Sequence, residues 1–364
     1  MMAYKDKLIR TDKYHIRFFQ IGEKTKGGDA ILIRLFNEAD EEVIILIDGG
    51  YKTTTGSAIV EYIKKNCTTN RIERIYNTHP DKDHIGGIVS ILESDLTVGT
   101  IYMNRPWKDS GFTKEFFKDK RITKDSLIER IRDAFTYADE VEELAVKKNV
   151  KIEKCFSDDT IFKSGIEILG PTNSLYKSKL LASDKTPNCI FEENKQPVVR
   201  KEVEDEDYDA SKTIEWFDEE VTSPINETSL VIAFHLGSMH FLFTGDAGKE
   251  ALEEAFDKYE ELHGKGCLAE LTHVQLPHHG SRKNFSPGLI QRLGNPEYII
   301  SCPPEGFKEG HPSRRLINKI LELKPKAKIY QTQDINFNFY KGIKINCTAQ
   351  SPATLSPKMD GKTK

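Results

Sequence analysis

The first part of the chain alternates short apolar runs with turn signals. Three runs, His15–Ile21, Ala30–Phe36 and Glu42–Asp48, have the length and composition of strands, and a polar Asn-Glu-Ala-Asp segment joins the last two. The pattern therefore predicts an antiparallel meander. A helix is predicted over Ser57–Lys65, followed by a strand over Ile72–Thr78.

Two segments interrupt this pattern and are interpreted as insertions. Within 104–149, apolar residues recur at helical spacing from Thr123 to Asn149, which predicts one long amphipathic helix. Within 191–222, acidic residues outnumber basic ones and the apolar periodicity is lost. We interpret this second insertion as a solvated acidic loop or, alternatively, as a lid or partner-docking segment.

The second half of the chain repeats the order of strands followed by helices. Two such halves favour two sheets packed face to face with helices outside. We therefore predict a single α/β (α+β) domain over 1–350, followed by a disordered tail over 351–364. The elements predicted for the second half are strands at Ser229–Leu236, Met239–Thr244, His273–Leu276 and Tyr298–Cys302, a helix at Pro312–Leu323, and closing strands at Lys328–Tyr330 and Ile343–Cys347.

Composition narrows the possible functions. A chain of 364 residues with 38% hydrophobic content can bury a sizeable core. The net charge of -4 gives no overall positive field for nucleic acid or an anionic membrane, so any phosphate binding must be local. The six cysteines form no C-x-x-C pair, which favours free thiols. Because we find neither a signal peptide nor a membrane-spanning apolar run, we expect a cytoplasmic protein with no membrane contact.

The densest chemical motif, THPDKDHIGG, directly follows a predicted strand. In an extended stretch alternate side chains share a face, so His79, Asp81 and Asp83 can converge. His84 then turns the corner as the next helix begins. A set of imidazole and carboxylate groups suits zinc, manganese or iron, so the motif predicts a metal site.

Three later motifs add candidates to this site. FTGD ends a strand in glycine and then Asp246, a geometry that can place one carboxylate between two metals. LPHHGS holds His278 and His279, which point differently because they are adjacent. One of them is expected to be a ligand and the other to orient a ligand or contact substrate. GHPSRR places His311 at the start of a helix whose N-terminus can receive an anion.

Supporting roles are assigned to polar residues beside these motifs. Asp48 ends a strand next to two glycines and is interpreted as a partner of the ligands, with a turn aspartate as the alternative. The groups that follow the histidine motifs are candidates for binding phosphate oxygens, namely Ser281, Arg282, Lys283 and Arg315. Residues 102–121 combine basic and aromatic side chains. They are interpreted as a nucleic-acid groove or as a helical cover with its aromatic rings turned inward.

Segments spread over most of the chain carry a resemblance to a known family. They are, in order, FFQIGEKTKGGDAILIRL with ILIDGG, then THPDKDHIGG, NETSLVIAFHLGSMHFLFTGDAG, LPHHGS and GHPSRR. The sequence resembles the metallo-β-lactamase superfamily and, within it, the hydrolase domain of the ComEC family of DNA-uptake proteins. The resemblance implies a four-layer αββα sandwich with a site for two divalent metal ions at one edge of the sheets.

The same resemblance assigns roles to the motif residues. His79, Asp81, Asp83, His84 and Asp246 become metal ligands, and one residue of the His278–His279 pair, together with His311, completes the site or binds substrate. Most superfamily members have histidine where this chain has Asp81, whereas aspartate is usual in the ComEC-like branch. This harder ligand leaves both zinc and manganese open as the metal.

The expected activity is metal-assisted hydrolysis. Two cations lower the pKa of a bridging water, Asp83 orients that water or accepts its proton, and His311 is the second candidate catalytic residue. Phosphodiesters are the preferred substrates, which predicts a nuclease or phosphodiesterase acting on nucleic acid or a nucleotide. The alternatives are a hydrolase of a small ester, thioester or lactam, and a non-catalytic protein that binds a protein partner through the acidic insertion.

Overall fold

A computed structural model of the chain describes residues 2–343 and 353–354, apart from 5–6, 22–25, 120, 160–161, 164, 188–215, 217–219, 304–305, 307–309 and 333–335. The strands in this part are β1 (Met2–Tyr4), β2 (Lys7–Phe18), β3 (Ile31–Asn37), β4 (Glu42–Ile47), β5 (Arg71–Tyr76), β6 (Thr97–Tyr102), β7 (Lys151–Glu153), β8 (Phe162–Lys163), β9 (Ile166–Gly170), β10 (Val231–Leu236), β11 (Met239–Phe243), β12 (His273–Gln275), β13 (Glu297–Ile300), β14 (Lys328–Gln331), β15 (Phe337–Lys341) and β16 (Ala353–Thr354). The α-helices are α1 (Ser57–Asn66), α2 (Lys82–Glu93), α3 (Lys124–Ala134), α4 (Thr136–Lys147), α5 (Asn173–Ala182), α6 (Lys249–His263), α7 (Pro287–Arg292) and α8 (Arg314–Leu323).

The first sheet has the strand order β1-β2-β3-β4-β5-β6-β7, and β15 pairs with β2. β2, β3 and β4 are antiparallel, with Ile33 of β3 opposite Ile16 on one side and Ile45 on the other. This confirms the predicted meander, although β2 begins eight residues earlier than the predicted run, at Lys7. From β4 to β7 the strands are parallel.

The second sheet repeats this arrangement in the order β16-β14-β13-β12-β11-β10-β9-β8. β8 to β11 are antiparallel and β11 to β14 are parallel. In each sheet the parallel strands therefore point their carboxyl ends toward one edge, where loops can gather side chains.

Three apolar layers separate four structural layers. In β3, Ile31 and Ile33 face the second sheet while Leu32 faces the helices, and all are buried because strands alternate their side chains. The layer between the sheets includes Ile16, Phe18, Ile33, Ile232, Phe234 and Phe243. Helices α1 to α4 cover the first sheet, and α6 to α8 cover the second. The predicted αββα sandwich is confirmed.

The helical part of the first insertion differs from the predicted single helix. The chain forms two helices, α3 and α4, separated at Phe135, whose backbone angles of φ -127 and ψ 52 lie outside the helical region. Phe135 itself is buried, and Ile131 of α3 and Val141 of α4 pack into the same apolar layer. Packing against the core therefore overrides the local preference for a continuous helix.

The C-terminal part of the chain also departs from the predicted pattern. The predicted strand at Lys328–Tyr330 is present as β14, but β15, which crosses back to the first sheet, was not predicted. The predicted strand at Ile343–Cys347 lies almost entirely outside the described residues, as does most of the acidic insertion 191–222. Within the stretch 351–364, predicted as a disordered tail, Ala353–Thr354 pairs with β14 as strand β16.

Two further properties concern the described residues alone. None of their helices combines the length and the apolar character needed to cross a bilayer. Their cysteines, Cys67, Cys155, Cys267 and Cys302, are free thiols.

Candidate metal centre

Polar side chains from both sheets meet at the carboxyl ends of the parallel strands. Each belongs to a loop that leaves a strand at this edge, because parallel strands end together there. The residues are Asp48 after β4, His79 after β5, Asp246 after β11, His278 and His279 after β12, and His311 between β13 and α8.

Helix α2 brings the remaining motif residues to the same place. Asp81 is its N-cap residue, and Asp83 and His84 lie in its first turn. A side chain at Gly87 would collide with the backbone of Gly49, so glycine lets the helix approach the end of β4. The close approach brings His84 to Asp48.

Asp48 holds the ring of His84 in one orientation. Its carboxylate accepts hydrogen bonds from the Thr78 backbone N–H (2.7 Å), the Thr78 hydroxyl (2.6 Å), Asn77 Nδ2 (3.0 Å) and His84 Nδ1 (2.8 Å). Because the partner of Nδ1 is a carboxylate, the proton sits on Nδ1 and Nε2 carries a lone pair. A carboxylate bound to the far nitrogen of a ligating histidine is a common feature of metal sites.

Hydrogen bonds at Nδ1 also orient the rings of His79 and His279. The Thr78 hydroxyl donates to Asp48, so its oxygen accepts from His79 Nδ1 (3.1 Å). His279 Nδ1 donates to the carbonyl oxygen of Ser301 (2.9 Å). In both rings the Nε2 atom faces the centre of the cluster, where it can present a lone pair to a cation.

Two groups of donor atoms share this cluster. The first is His79, His84 and Asp246, with His84 Nε2 at 3.3 Å from Asp246 Oδ1 and His79 Nε2 at 3.7 Å from Asp246 Oδ2. The second is Asp83, His84 and His279, with His279 Nε2 at 3.8 Å from Asp83 Oδ2. These separations leave room for a cation between the atoms, because metal bonds of about 2.0–2.2 Å place two ligand atoms a little over 3 Å apart.

Asp29 is a member of the cluster that the sequence analysis did not single out. It precedes β3, is 1% exposed, and forms a further group of donors with Asp246 and His279. Its backbone N–H donates to the carbonyl oxygen of Asp83 (3.1 Å). The available signal was a carboxylate placed directly before the wholly apolar run AILI, which must be buried with a partner.

The residues present fit divalent metal ions. His79 Nε2, His84 Nε2, His279 Nε2, Asp246 Oδ1 and both carboxylate oxygens of Asp29 are buried, and none has a hydrogen-bond partner in the part of the chain that the structure describes. Buried carboxylates and lone pairs without partners are unfavourable unless positive charge lies between them. Histidine nitrogens with aspartate oxygens suit zinc or manganese.

The pKa shifts in the cluster also favour a bound cation. Burial would lower the pKa of His84, but the carboxylates of Asp246 and Asp48 raise this pKa well above its usual value. Burial would also lower the pKa of His279, but the Asp83 carboxylate raises this pKa to about 9. Burial raises the pKa of Asp29 to about 6. The cluster therefore draws positive charge toward its centre.

The two adjacent histidines occupy different environments. Both have a positive φ, 46 for His278 and 56 for His279, a conformation that non-glycine residues rarely adopt and that turns the rings apart. The His279 side chain is 4% exposed and that of His278 is 30% exposed, with Nε2 at 3.7 Å from Asp246 Oδ2. His278 Nδ1 lies between the amides of Asn226 and Asn284, at 3.2 and 3.3 Å. His279 is thus the stronger ligand candidate of the pair.

His311 and Asp81 lie at the margin of the cluster. The ring of His311 is 4.8 Å from that of His278, and burial, with the nearby charges of His278 and His279, lowers its pKa to about 3. His311 is therefore a neutral imidazole at physiological pH. Asp81 Oδ2 is 3.8 Å from His79 Nε2, and Asp81 Oδ1 accepts a hydrogen bond from Lys185 Nζ (2.7 Å).

Lys185 follows α5 and was not predicted from the sequence, since it is separated from Asp81 by 104 positions and belongs to no motif.

The four predicted phosphate-binding residues have varied surroundings. Arg282 forms an ion pair with Glu220 (2.7 Å), and Arg315 is buried in the first turn of α8. Ser281 is buried and accepts from the backbone N–H of Lys283 (3.2 Å), while Lys283 lies close enough to His311 to lower its pKa. Their substrate roles stay predictions.

Comparison with known proteins places the chain in a family. The sequence model of the metallo-beta-lactamase superfamily matches residues 25–313, a stretch that includes both groups of donor atoms. The chain belongs to the metallo-β-lactamase superfamily. As members of this superfamily are metal-dependent hydrolases, the protein is a hydrolase of that superfamily, and the part of the resemblance that concerns the superfamily is confirmed.

Solved structures of the superfamily are similar to the chain at low sequence identity. The MIM-2 metallo-β-lactamase is 13% identical, with a TM-score of 0.30 over 81% of this chain and 85% of that one. MEM-A1, a subclass B3 metallo-β-lactamase from a soil metagenome library, is 11% identical, with a TM-score of 0.30 over 73% and 80%. A long form RNase Z from yeast is 12% identical, with a TM-score of 0.33 over 89% of this chain and 45% of that one. A search of curated sequences finds no match to the chain. The superfamily assignment therefore rests on the sequence model.

Proposed function

We propose that the protein is a metal-dependent phosphodiesterase or nuclease of the ComEC-like branch of the superfamily. The observation that carries this proposal is that the His/Asp groups of one buried cluster share residues, so that two divalent ions would lie side by side. The transition state of phosphodiester hydrolysis carries more negative charge than that of an ester or a lactam. It therefore gains more from two adjacent cations.

The two groups defined above would hold the ions, with Asp29 and Asp81 at their margins. We propose zinc or manganese, since both accept imidazole and carboxylate ligands. When bound, the ions would supply an activated water and offset charge on the attacked phosphorus.

The residues of the chain itself would position the reactants. Burial would raise the pKa of Asp83, but the facing imidazole of His279, whose Nε2 is 3.8 Å from Oδ2, keeps this pKa below its usual value and the carboxylate ionised. It can therefore accept a hydrogen bond from the attacking water and orient it. Asp48 keeps the His84 ring from turning, so that the donor set is formed before substrate arrives.

Cationic side chains at the rim favour an anionic substrate. The Lys185 ammonium lies 2.7 Å from Asp81, and Lys283 is close enough to His311 to lower its pKa. An ammonium group beside a metal-bound phosphate forms a charge-assisted hydrogen bond, which a neutral ester or thioester cannot match. A nucleic acid or a nucleotide, present in the cytoplasm, is the substrate that we propose.

We also propose a contact between the acidic insertion 191–222 and a protein partner. Glu220, near its end, pairs with Arg282 and so ties the insertion to the LPHHGS loop beside the cluster.

The decisive experiment measures cleavage of bis-p-nitrophenyl phosphate, labelled single-stranded DNA and RNA with added manganese or zinc. Wild type should cleave at least one of them. Substitutions of residues that only orient a metal ligand typically cost roughly 10–100-fold in activity. Asp83→Asn and Asp246→Asn should lose more than this, because each removes the charge of a donor from the cluster. Asp40→Asn is the matched control, since Asp40 pairs with Lys13 on an exposed surface and should leave cleavage unchanged.

The same assay distinguishes the alternatives. Two bound ions per chain with no cleavage of any phosphodiester, but turnover of an ester, thioester or lactam, would replace the proposal by a small-molecule hydrolase. Lys185→Gln should raise KM for the phosphodiester by about 10-fold with a smaller change in kcat, because a charge-assisted hydrogen bond is lost. Lys179→Gln, on the preceding helix, changes an ion pair with Glu250 and serves as its control.

A further inference from the structure

A second cluster of metal-binding side chains lies on the second sheet, away from the catalytic edge. Glu167 of β9 is opposite Ala233 of β10, and His235 is two positions further along β10 on the same face. That face is covered by α6, whose last residue, His263, brings a second imidazole to Glu167. His240, paired with His235 in the β10–β11 hairpin, stands at the opposite end of β11 from Asp246.

The donor atoms of this cluster lie close to the spacing of a coordination shell. Glu167 Oε2 forms a hydrogen bond of 2.7 Å with His263 Nε2, and Glu167 Oε1 is 3.3 Å from His235 Nε2. One donor atom from each of the three residues lies within 4.8 Å of the others. In a tetrahedral zinc site, bonds of about 2.0–2.1 Å place ligand atoms roughly 3.3 Å apart. Small side-chain rotations would therefore admit an ion.

Two facing atoms of this cluster lack hydrogen-bond partners. The Glu167 side chain is 2% exposed, and neither its Oε1 atom nor His235 Nε2 has a hydrogen-bond partner among the described residues. A buried carboxylate oxygen that faces an imidazole nitrogen without a proper hydrogen bond is unfavourable. A cation between the two atoms would satisfy both.

His240 sets the orientation of His235 in the way expected for a metal ligand. The Nδ1 atoms of the two rings are 2.7 Å apart, so one of them carries the proton of a hydrogen bond. If His235 donates from Nδ1, its Nε2 presents a lone pair to Glu167, as in histidines that bind a metal through one nitrogen and donate from the other.

We propose that Glu167, His235 and His263 form a third metal site, for a zinc-type cation, with His240 as a positioning residue. Two imidazoles and one carboxylate favour zinc over magnesium or calcium. Three protein ligands leave a fourth position for water. Because α6 begins three residues after Asp246, an ion here would fasten the far end of this helix to β9 and β10.

The test is a zinc titration of the full chain after removal of metals with a chelator, using a chromophoric competitor to count bound ions. Wild type should bind one more zinc ion per chain than His235→Gln, His263→Gln or Glu167→Gln. His273→Gln is the matched control, because His273 lies on β12 of the same sheet and bonds to Thr272 outside the cluster. It should bind as many ions as wild type.

Equal zinc counts in wild type and all three cluster variants would overturn the proposal and leave a hydrogen-bonded His-Glu-His group. A measurement in the Asp246→Asn background guards against misfolded variants. Zinc should raise the Tm of Asp246→Asn, since binding to the folded state stabilises it, but should raise it less in Asp246→Asn/His263→Gln. The same rise in both proteins would also overturn the proposal. Neither result depends on which substrate the catalytic site accepts.

Discussion

At the scale of single residues, the catalytic cluster depends on a carboxylate that is not itself a predicted ligand. Asp48 adopts a left-handed φ of 54, which aims its side chain back toward Thr78 and His84. Its two oxygens together accept four hydrogen bonds. One carboxylate thus fixes both the end of β5 and the ring of His84.

Replacing Asp48 by asparagine should weaken metal binding by about 10–100-fold. The amide is the same size but carries no charge, so it holds the His84 Nδ1 proton more weakly and makes Nε2 a poorer donor. The affinity can be measured by competition with a chromophoric chelator, alongside a far-ultraviolet circular dichroism spectrum to check folding. Asp40→Asn should bind metal as wild type does; an unchanged affinity in Asp48→Asn would refute the orienting role.

Residue motifs predicted part of this cluster and missed the rest. His79, Asp83 and His84 could be named because their spacing along one strand end and helix start brings them together locally. Asp29 and Lys185 could not, because each reaches the cluster from a distant part of the chain. Their roles depend on which strands and loops become neighbours.

At the scale of elements, a largely buried charged network joins separate parts of the helical insertion 104–149. Glu142 of α4 accepts hydrogen bonds from Arg105 Nη1 (2.9 Å), Trp107 Nε1 (2.9 Å) and Arg132 Nη2 (2.6 Å). Trp107 and Phe117 are buried. These two aromatic side chains of the segment 102–121 pack inward, as the interpretation of a helical cover predicts.

Glu142→Gln should lower the free energy of unfolding by about 2 kcal/mol, because the buried guanidinium of Arg105 loses one of its carboxylate partners. Urea denaturation followed by circular dichroism measures the change. The neighbouring, exposed Glu143 offers a control, and Glu143→Gln should change the free energy of unfolding by less than about 0.5 kcal/mol. Equal effects of the two substitutions would show that the network does not hold the parts of the insertion together.

The break between α3 and α4 could not be predicted from the sequence. The apolar spacing correctly predicted helix on both sides of Phe135. The segment contains no glycine or proline that would mark a break between two helices. The bend lets residues of both helices, such as Ile131 and Val141, pack into the same apolar layer on the first sheet. Such packing appears only when the sheet is present.

At the scale of the whole molecule, β15 joins the C-terminal part of the chain to the first sheet. His15 of β2 lies at this junction, where Nε2 contacts Asn338 Oδ1 of β15 (2.8 Å) and Nδ1 contacts the hydroxyl of Tyr62 of α1 (3.2 Å). The ring is wholly buried, and burial lowers its pKa from 6.5 to about 4. The folded protein therefore resists protonation of His15.

This resistance predicts a pH-dependent stability. The unfolded chain binds a proton at His15 near pH 6.5 and the folded protein only near pH 4, so the contribution of His15 is complete above pH 6.5 and declines between pH 6.5 and 4. The loss should reach about 3 kcal/mol in the free energy of unfolding.

Urea denaturation between pH 7 and 4 tests this prediction in wild type and His15→Gln. The difference between the two proteins isolates His15, because the remaining titratable groups are common to both. The free energy of unfolding of the variant should depend less steeply on pH. Parallel curves for the two proteins would contradict the assigned protonation of His15.

The sequence by itself determined the main strands, the division into two similar halves and the central metal motif. Each of these is written in local patterns, namely apolar alternation, helical spacing and donor groups a few positions apart. Only the tertiary structure decided that Asp29 and Lys185 join the cluster, that Asp48 orients His84, and that Glu167 meets His235 and His263. These contacts join residues far apart in the chain. They exist because strand order and the packing of helices on sheets bring the residues together, and no local pattern encodes that order.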